Sequence, residues 1–235
     1  MEEYLKQVNE VKNGEFHVFK RLTNFEFENE LKNALIHLSQ NDKILSKTIK
    51  IVGQCRLKQH KKYFETLVDA IISQQLSIKV AEKIFNRFKL LFDSDNKKKF
   101  PSPNQIIDMD DKKLRSCGLS NAKVAYIKDL TGKVLDGTVK IHRLGSLTDE
   151  EIINELIQVK GIGVWTAHMF LIFCLGRLNV LPAGDFGFKN AVKQNYNLRK
   201  FPTEKKIIEI SKKNSWSPYQ SVAAWYMWQC LSLRS

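Results

Sequence analysis

The sequence predicts an all-α fold of roughly ten helices joined by short loops, and three observations predict it. From about residue 30 onward, apolar side chains recur three and four apart, and the ends of these runs carry recognisable helix caps. Strand signals are confined to residues 15 to 28, where Phe16, Val18, Phe25 and Phe27 hint at extended chain. The 235 residues, 43% hydrophobic and 27% charged, have the composition of a folded globular protein of one large domain or two small ones.

Tyr63, Phe64, Leu67, Ala70 and Ile71 form one apolar stripe, and Ile78, Ala81, Ile84, Phe85, Phe88, Leu91 and Phe92 form the next. Between them the polar stretch Ser73-Gln74-Gln75-Leu76-Ser77 breaks the pattern. Ser102-Pro103-Asn104-Gln105 and Ser217-Pro218-Tyr219-Gln220 each read as an N-cap, a proline at the first helical position and a reciprocal glutamine. Thr148-Asp149-Glu150-Glu151 is a third capping box. Residues 150 to 175 then read as helix, tight turn, helix, with the turn at Gly161-Ile162-Gly163. No internal repeat or low-complexity linker interrupts the chain.

Apolar runs such as Met169 to Leu175 fall far short of the roughly 20 residues that cross a bilayer, and MEEYLKQVNE has no basic-then-apolar signal design. The expectation is neither a membrane nor a secreted chain. Cys55, Cys117, Cys174 and Cys230 lie more than fifty residues apart, with no CxxC pair and no histidine at ligand spacing. Zinc and iron–sulfur sites are therefore not expected, and free thiols in a reducing intracellular compartment are.

Thirty-eight Lys and Arg against 25 Asp and Glu give a net charge of +13. Residues 1 to 45 hold eight acids and six bases, so the excess belongs to the rest of the chain, which carries +15. Such a field suits a polyanion, because each neutralised phosphate releases counterions. A lysine-rich solubility surface is the plainer alternative.

At the turn, two glycines flanking one aliphatic residue let the backbone take positive φ and approach a partner closely, while Ile162 plugs back between the helices. Amides at the following helix N-terminus would then face outward, where a phosphate oxygen is favoured. An ordinary helical hairpin would use the same glycines. Across residues 156 to 203 there is one acid, Asp185, among six bases: Lys160, Arg177, Lys189, Lys193, Arg199 and Lys200. Asp185 lies in Leu181-Pro182-Ala183-Gly184-Asp185-Phe186-Gly187, just ahead of a helical run, and so reads as a helix cap. The two roles are compatible, since a capping carboxylate is ionised and rigid, as a catalytic anion must be.

Four stretches, in this order, resemble the helix-hairpin-helix (HhH-GPD) DNA glycosylase superfamily: Ala70 to Ser77, Cys117-Gly118-Leu119-Ser120 with Lys123, Val159 to Ala167, and Leu181 to Gly187. The likeness spans about residues 35 to 230 and is greatest to the 3-methyladenine DNA glycosylase II (AlkA-like) branch. It implies two all-α lobes: a central helical barrel over 63–177 ending in the hairpin, and a second lobe pairing 30–62 with 178–235. Asp185 would sit in the cleft between them. Residues 1–29 form an arm of unassigned role, and the large N-terminal β domain of the bacterial inducible enzyme is lacking.

The resemblance implies base excision repair of alkylated purines in double-stranded DNA by a monomer that needs no cofactor. It casts Asp185 as the catalytic residue and Trp165, Trp228, Phe64, Met169 and Tyr226 as base-pocket residues. It casts Gln75 as the wedge that fills the emptied stack. Gly161, Gly163 and Thr166 would grip the DNA backbone, and Ser120 and Lys123 either clamp a second phosphate or simply cap and solvate their own helix. A monovalent cation on the backbone carbonyls of Ile157, Val159 and Ile162 is also implied, with no catalytic metal. Relatives that also cut the strand carry a lysine two residues after the hairpin glycine; this chain has Trp165 there, so a monofunctional enzyme is expected. A glycosylase for oxidised or deaminated bases, or a non-catalytic damage-binding module, remain as alternatives.

Overall fold

A computed structural model of the protein describes residues 21–92 and 99–232, and every regular element among them is helical. The first helix, α1 (Asn24–Asn41), opens on a capping box in which Glu26 N–H donates to Thr23 Oγ1 at 3.2 Å and Thr23 N–H to Glu26 Oε2 at 2.7 Å. Extended chain was expected over 15 to 28. Residues 24 to 28 are helical instead, because the Thr-x-x-Glu box sets the backbone and the phenylalanines sort by helix face: Phe27 is buried and Phe25 exposed. Residues 1–20 of the expected arm lie outside the described residues.

Helix α2 (Lys43–Val52) follows at once, capped by Asp42, whose Oδ1 accepts from the N–H groups of Ile44 at 2.8 Å and Leu45 at 3.1 Å. Asp42 is buried, and its other oxygen accepts from Trp216 Nε1 at 2.8 Å and from the Tyr196 hydroxyl. Burial first, then the neighbouring carboxylate, pushes the Tyr196 phenol far up, so it stays a donor.

Next come α3 (Tyr63–Ser73), α4 (Ile78–Leu90), α5 (Pro103–Asp108), α6 (Asp111–Ser116) and α7 (Asn121–Leu135). The hairpin helices are α8 (Asp149–Leu156) and α9 (Val164–Phe170), the latter continued by one π turn, Leu171–Leu175. Helices α10 (Phe186–Asn195), α11 (Glu204–Lys213) and α12 (Gln220–Ser232) complete the described chain. Two packing groups emerge. Helix α3 lies against α4 and α7, α7 against α5 and α6, and α9 against α3 and α8; α12 packs on α1, α2 and α10. Phe88 and Phe188, one in each group, are fully buried, and each such ring contributes about 2–3 kcal/mol relative to exposure.

The expected caps at Ser102 and Thr148 form, each with its reciprocal side-chain bond. The one at Ser217 does not: α12 begins at Gln220, whose amide reaches Ser211 Oγ at 3.1 Å, and Tyr219 N–H closes a turn on the Trp216 carbonyl at 2.7 Å. A bond to Ser211 took the glutamine side chain that the box required. All four cysteines are free and buried, and burial pushes Cys55 and Cys174 up to about 11. Among the described residues no helix is long and apolar enough to cross a membrane.

Burial also pushes the His168 imidazole, in α9, down to about 4. An unfolded histidine titrates near 6.5, so between these values the unfolded chain binds the extra proton, and stability falls as pH drops from about 6.5 towards 4. The loss approaches about 3 kcal/mol. Urea midpoints measured from pH 7.5 to 4.5 should trace this decline, and His168→Leu should flatten it; an unflattened slope would assign the decline to other groups.

Candidate active site

Asp185 ends a loop of buried residues, Leu181, Pro182 and Ala183, and its own N–H closes on the Pro182 carbonyl at 2.9 Å. The loop delivers the side chain to the start of α10, where Oδ1 accepts from Phe188 N–H at 2.5 Å. Two indoles complete the arrangement. Trp165 Nε1, at the start of α9, donates to Oδ2 at 2.7 Å, and Trp228 Nε1, on α12, donates to Oδ1 at 2.9 Å. Three N–H donors from three helices thus fix both oxygens in direction. A Cβ on Gly187 would stand 3.3 Å from Asp185 Oδ1 and 3.7 Å from Trp228 Nε1, so glycine gives this corner its room.

Both indoles meet the carboxylate by their edges, which leaves their faces for other partners. Trp165 is 51% exposed. Trp228 is half-buried, with Phe188 at 5.9 Å and Phe173 at 5.6 Å between ring centroids. Phe173 was not among the expected site residues, yet it is exposed and touches Trp228. Its spacing was legible, since Trp165, Met169 and Phe173 recur every four residues, which is one helix face. Met169 is half-buried on that same face.

Phe64 and Tyr226 make contacts of other kinds. Phe64 packs edge-on against Phe100, which stacks on Phe85. Tyr226, expected at the pocket, is fully buried and donates its hydroxyl to the Gly53 carbonyl at 2.6 Å. It precedes Trp228 by two residues, and positions two apart lie on nearly opposite sides of a helix.

The hairpin turn takes its left-handed residue at Gly161 alone; Gly163 keeps an extended backbone, φ −102°. Gly161 takes φ +81° against the Tyr126 ring, where an added Cβ would meet Cδ2 at 2.2 Å. Ile162 is buried, and its N–H donates to the Val159 carbonyl at 3.0 Å. Gly163 caps α9, and the first helical bond there runs from Ala167 N–H to the Gly163 carbonyl, so the amides before it point out of the helix end. Thr166, expected to grip the DNA backbone, is buried. Arg177 clamps the far ends of the hairpin, 3.3 Å from Asp149 and 2.7 Å from the Leu147 carbonyl.

Gln75 is exposed in the loop between α3 and α4, at φ +57°. Ser120 caps α7 by accepting from Lys123 N–H at 3.3 Å. The Lys123 ammonium points inward, donating to the carbonyls of Ile72 at 2.7 Å and Gln74 at 2.8 Å, and burial lowers its pKa. Ser120 thus takes the capping alternative, while the Lys123 ammonium is directed to two backbone carbonyls. Among the described residues no three His, Cys, Asp or Glu side chains gather to hold a metal ion.

Residues 68–216 match the profile of the HhH-GPD superfamily base excision DNA repair proteins. The chain is 37% identical over 212 residues to DNA-3-methyladenine glycosylase 1 of Schizosaccharomyces pombe, covering 88% of this chain and 91% of that protein. It is 34% identical over 205 residues to the alkylbase DNA glycosidase-like protein mag2 of the same yeast, covering 86% and 94%. Among solved structures, the S. pombe 3-methyladenine DNA glycosylase Mag1 in complex with abasic DNA superimposes with a TM-score of 0.75 at 38% identity, over 85% of this chain and 97% of that one.

Gly161→Ala should lower the melting temperature by roughly 5–10 °C, the equivalent of about 2–3 kcal/mol from left-handed backbone and ring clash together. A melt within about 2 °C of wild type would show that the turn and Tyr126 can relax around a methyl group.

Proposed function

The chain belongs to the HhH-GPD superfamily of base excision DNA repair proteins, and from that membership we propose a monofunctional DNA glycosylase that hydrolyses the N-glycosidic bond of alkylated purines in duplex DNA. The bases intended are of the 3-methyladenine and 7-methylguanine type. The observation that carries the reading is the Asp185 carboxylate, oriented by Phe188 N–H, Trp165 Nε1 and Trp228 Nε1 at a helix start beside the hairpin. The enzyme acts within the cell, on the genome, as a monomer and without a cofactor.

The chemistry follows from the groups present. The target nucleotide must leave the stack, and Gln75 occupies the space it vacates. Cleavage of the C1′–N bond sends the bonding electrons to the departing purine and builds positive charge on the sugar. The fixed carboxylate stabilises that charge more than it stabilises the ground state. Water then adds its oxygen to C1′ and loses one proton, leaving an abasic site and a free base. An alkylated purine carries positive charge before it leaves, and the indole faces of Trp165 and Trp228 attract it more than a neutral base. Since those indoles also hold Asp185 by their edges, lesion recognition and carboxylate orientation share two side chains. Trp165 takes the position of the strand-cutting lysine, so the backbone stays intact.

The amides of Gly163 to Thr166 grip a backbone phosphate, and the +13 net charge steers the chain to DNA of any sequence. The monovalent cation on the carbonyls of Ile157, Val159 and Ile162 is part of the same proposal; the Val159 oxygen already accepts from Ile162 N–H and keeps a second lone pair. The lobes take the boundaries 63–177 and 30–62 with 178–235.

Single-turnover base release from a methylated duplex tests the reading. Asp185→Asn should abolish release while leaving duplex affinity nearly unchanged, and strands should break only after alkali. Release from 8-oxoguanine or hypoxanthine duplexes alone would move the assignment to oxidised or deaminated bases, and tight binding with no release from any of them to a binding module. Trp228→Phe keeps an aromatic face but removes one donor to a charged acceptor, a loss of about 1.5–3 kcal/mol, so release should slow at least tenfold. An unchanged rate would show that Trp165 and Phe188 suffice to orient the carboxylate.

A further inference from the structure

The loop carrying Gln75 holds a backbone conformation that costs free energy. Gln75 is neither glycine nor asparagine, and its left-handed backbone costs on the order of 1 kcal/mol. Something must impose it. Helix α3 ends just before, and its last carbonyls would ordinarily turn to water or to a glycine cap. Here the Lys123 ammonium, some fifty residues along the chain, donates to the Ile72 and Gln74 carbonyls and so clamps the peptide on the N-terminal side of Gln75. On the other side, Leu76 N–H donates to the Ser73 carbonyl at 3.2 Å.

The same stretch is tied to the hairpin. Gln74 Nε2 donates to the Gly161 carbonyl at 2.7 Å, across 87 residues of sequence. Helix α7, which carries Lys123, meets that turn at two further points: the Tyr126 ring fills the space beside Gly161, and Asp129 Oδ2 accepts from Lys160 N–H at 2.8 Å while paired with Lys133 at 2.6 Å. Lys123, Tyr126 and Asp129 follow one another at intervals of three, along one side of the helix. One helix therefore touches the Gln75 loop at its first turn and the hairpin turn at its second and third, and Gln74 closes the triangle.

We propose that Lys123 is a positioning residue, and that through it α7 braces the Gln75 loop at a fixed offset from the Gly161–Gly163 turn. The group that fills the emptied stack and the turn that grips the backbone then meet DNA as one rigid unit. The idea rests on Gln75 being the wedge. It also explains why the ammonium faces carbonyls: a lysine spent on phosphate would leave the helix end and the left-handed residue unsupported.

The test uses the whole chain and a duplex containing a tetrahydrofuran abasic analogue flanked by 2-aminopurine, whose fluorescence rises when a side chain enters the gap. Lys123→Met should cut that rise by at least half and slow single-turnover release about tenfold or more, while the slope of log Kd against log salt stays at the wild-type value. Lys123→Arg, which keeps a cationic donor, should recover most of the signal, and Lys123→Met combined with Gln75→Ala should be no worse than Gln75→Ala alone. A slope shallower by about 0.9 would make Lys123 a phosphate ligand and overturn the proposal. Full additivity with Gln75→Ala would overturn it as well. If Lys123→Met fails to fold, Gln74→Ala takes its place, and an unaltered signal in that protein is equally fatal. Should Gln75→Ala leave the fluorescence intact, the wedge assignment falls; the brace then stands only if Lys123→Met still lowers the signal.

Discussion

The carboxylate of Asp185 is where three distant parts of the chain are made to agree. Its acceptors are met by a backbone amide one turn into α10 and by indoles on α9 and α12. Each donor constrains one feature: the cap sets where α10 begins, Trp165 sets how the hairpin leans, and Trp228 sets how α12 is rotated. A half-exposed acid has little else to lock it, so its precision comes from the number of partners rather than from burial. Every function proposed for Asp185 presupposes that alignment.

A second aspartate makes the comparison sharp. Asp42 also caps a helix and also accepts an indole N–H, from Trp216, with a tyrosine hydroxyl besides. Yet Asp42 is 1% exposed, so no substrate reaches it, and its bonds join α1, α2, the C-terminal end of α10 and the segment before α12. The two sites use the same chemistry. Solvent access separates the keystone from the reagent, and the interior one stiffens the helices on which the exposed one depends.

What could be read from the sequence was what short-range chemistry decides. Gly161 demanded a left-handed turn, the boxes at Ser102 and Thr148 named their own partners, and the lone Asp185 stood out against six bases. Thr23 and Glu26 formed a box of the same kind that alternating phenylalanines obscured. Other features depended on partners far along the chain. Nothing near Lys123 announces that its ammonium will find carbonyls at Ile72 and Gln74, and nothing near Gln220 announces Ser211. Tyr226 was drawn to the site by its type, when its place relative to Trp228 on the helix sent it into the core.

The π turn at Leu171–Leu175 bears on how such a site diversifies. A helix acquires a turn of this kind when it takes in one extra residue while both flanking ends stay anchored, and here α9 is anchored by Trp165 on one side and Arg177 on the other. The length of this short stretch, rather than the identity of any one residue, sets which side chain faces Trp228. Losing a single residue would rotate the segment by about 100° and exchange Phe173 for a neighbour, with the hairpin and Asp185 left in place. Descendants could thus remodel the pocket by insertion and deletion, a route that conserves the reagent while changing what it is shown.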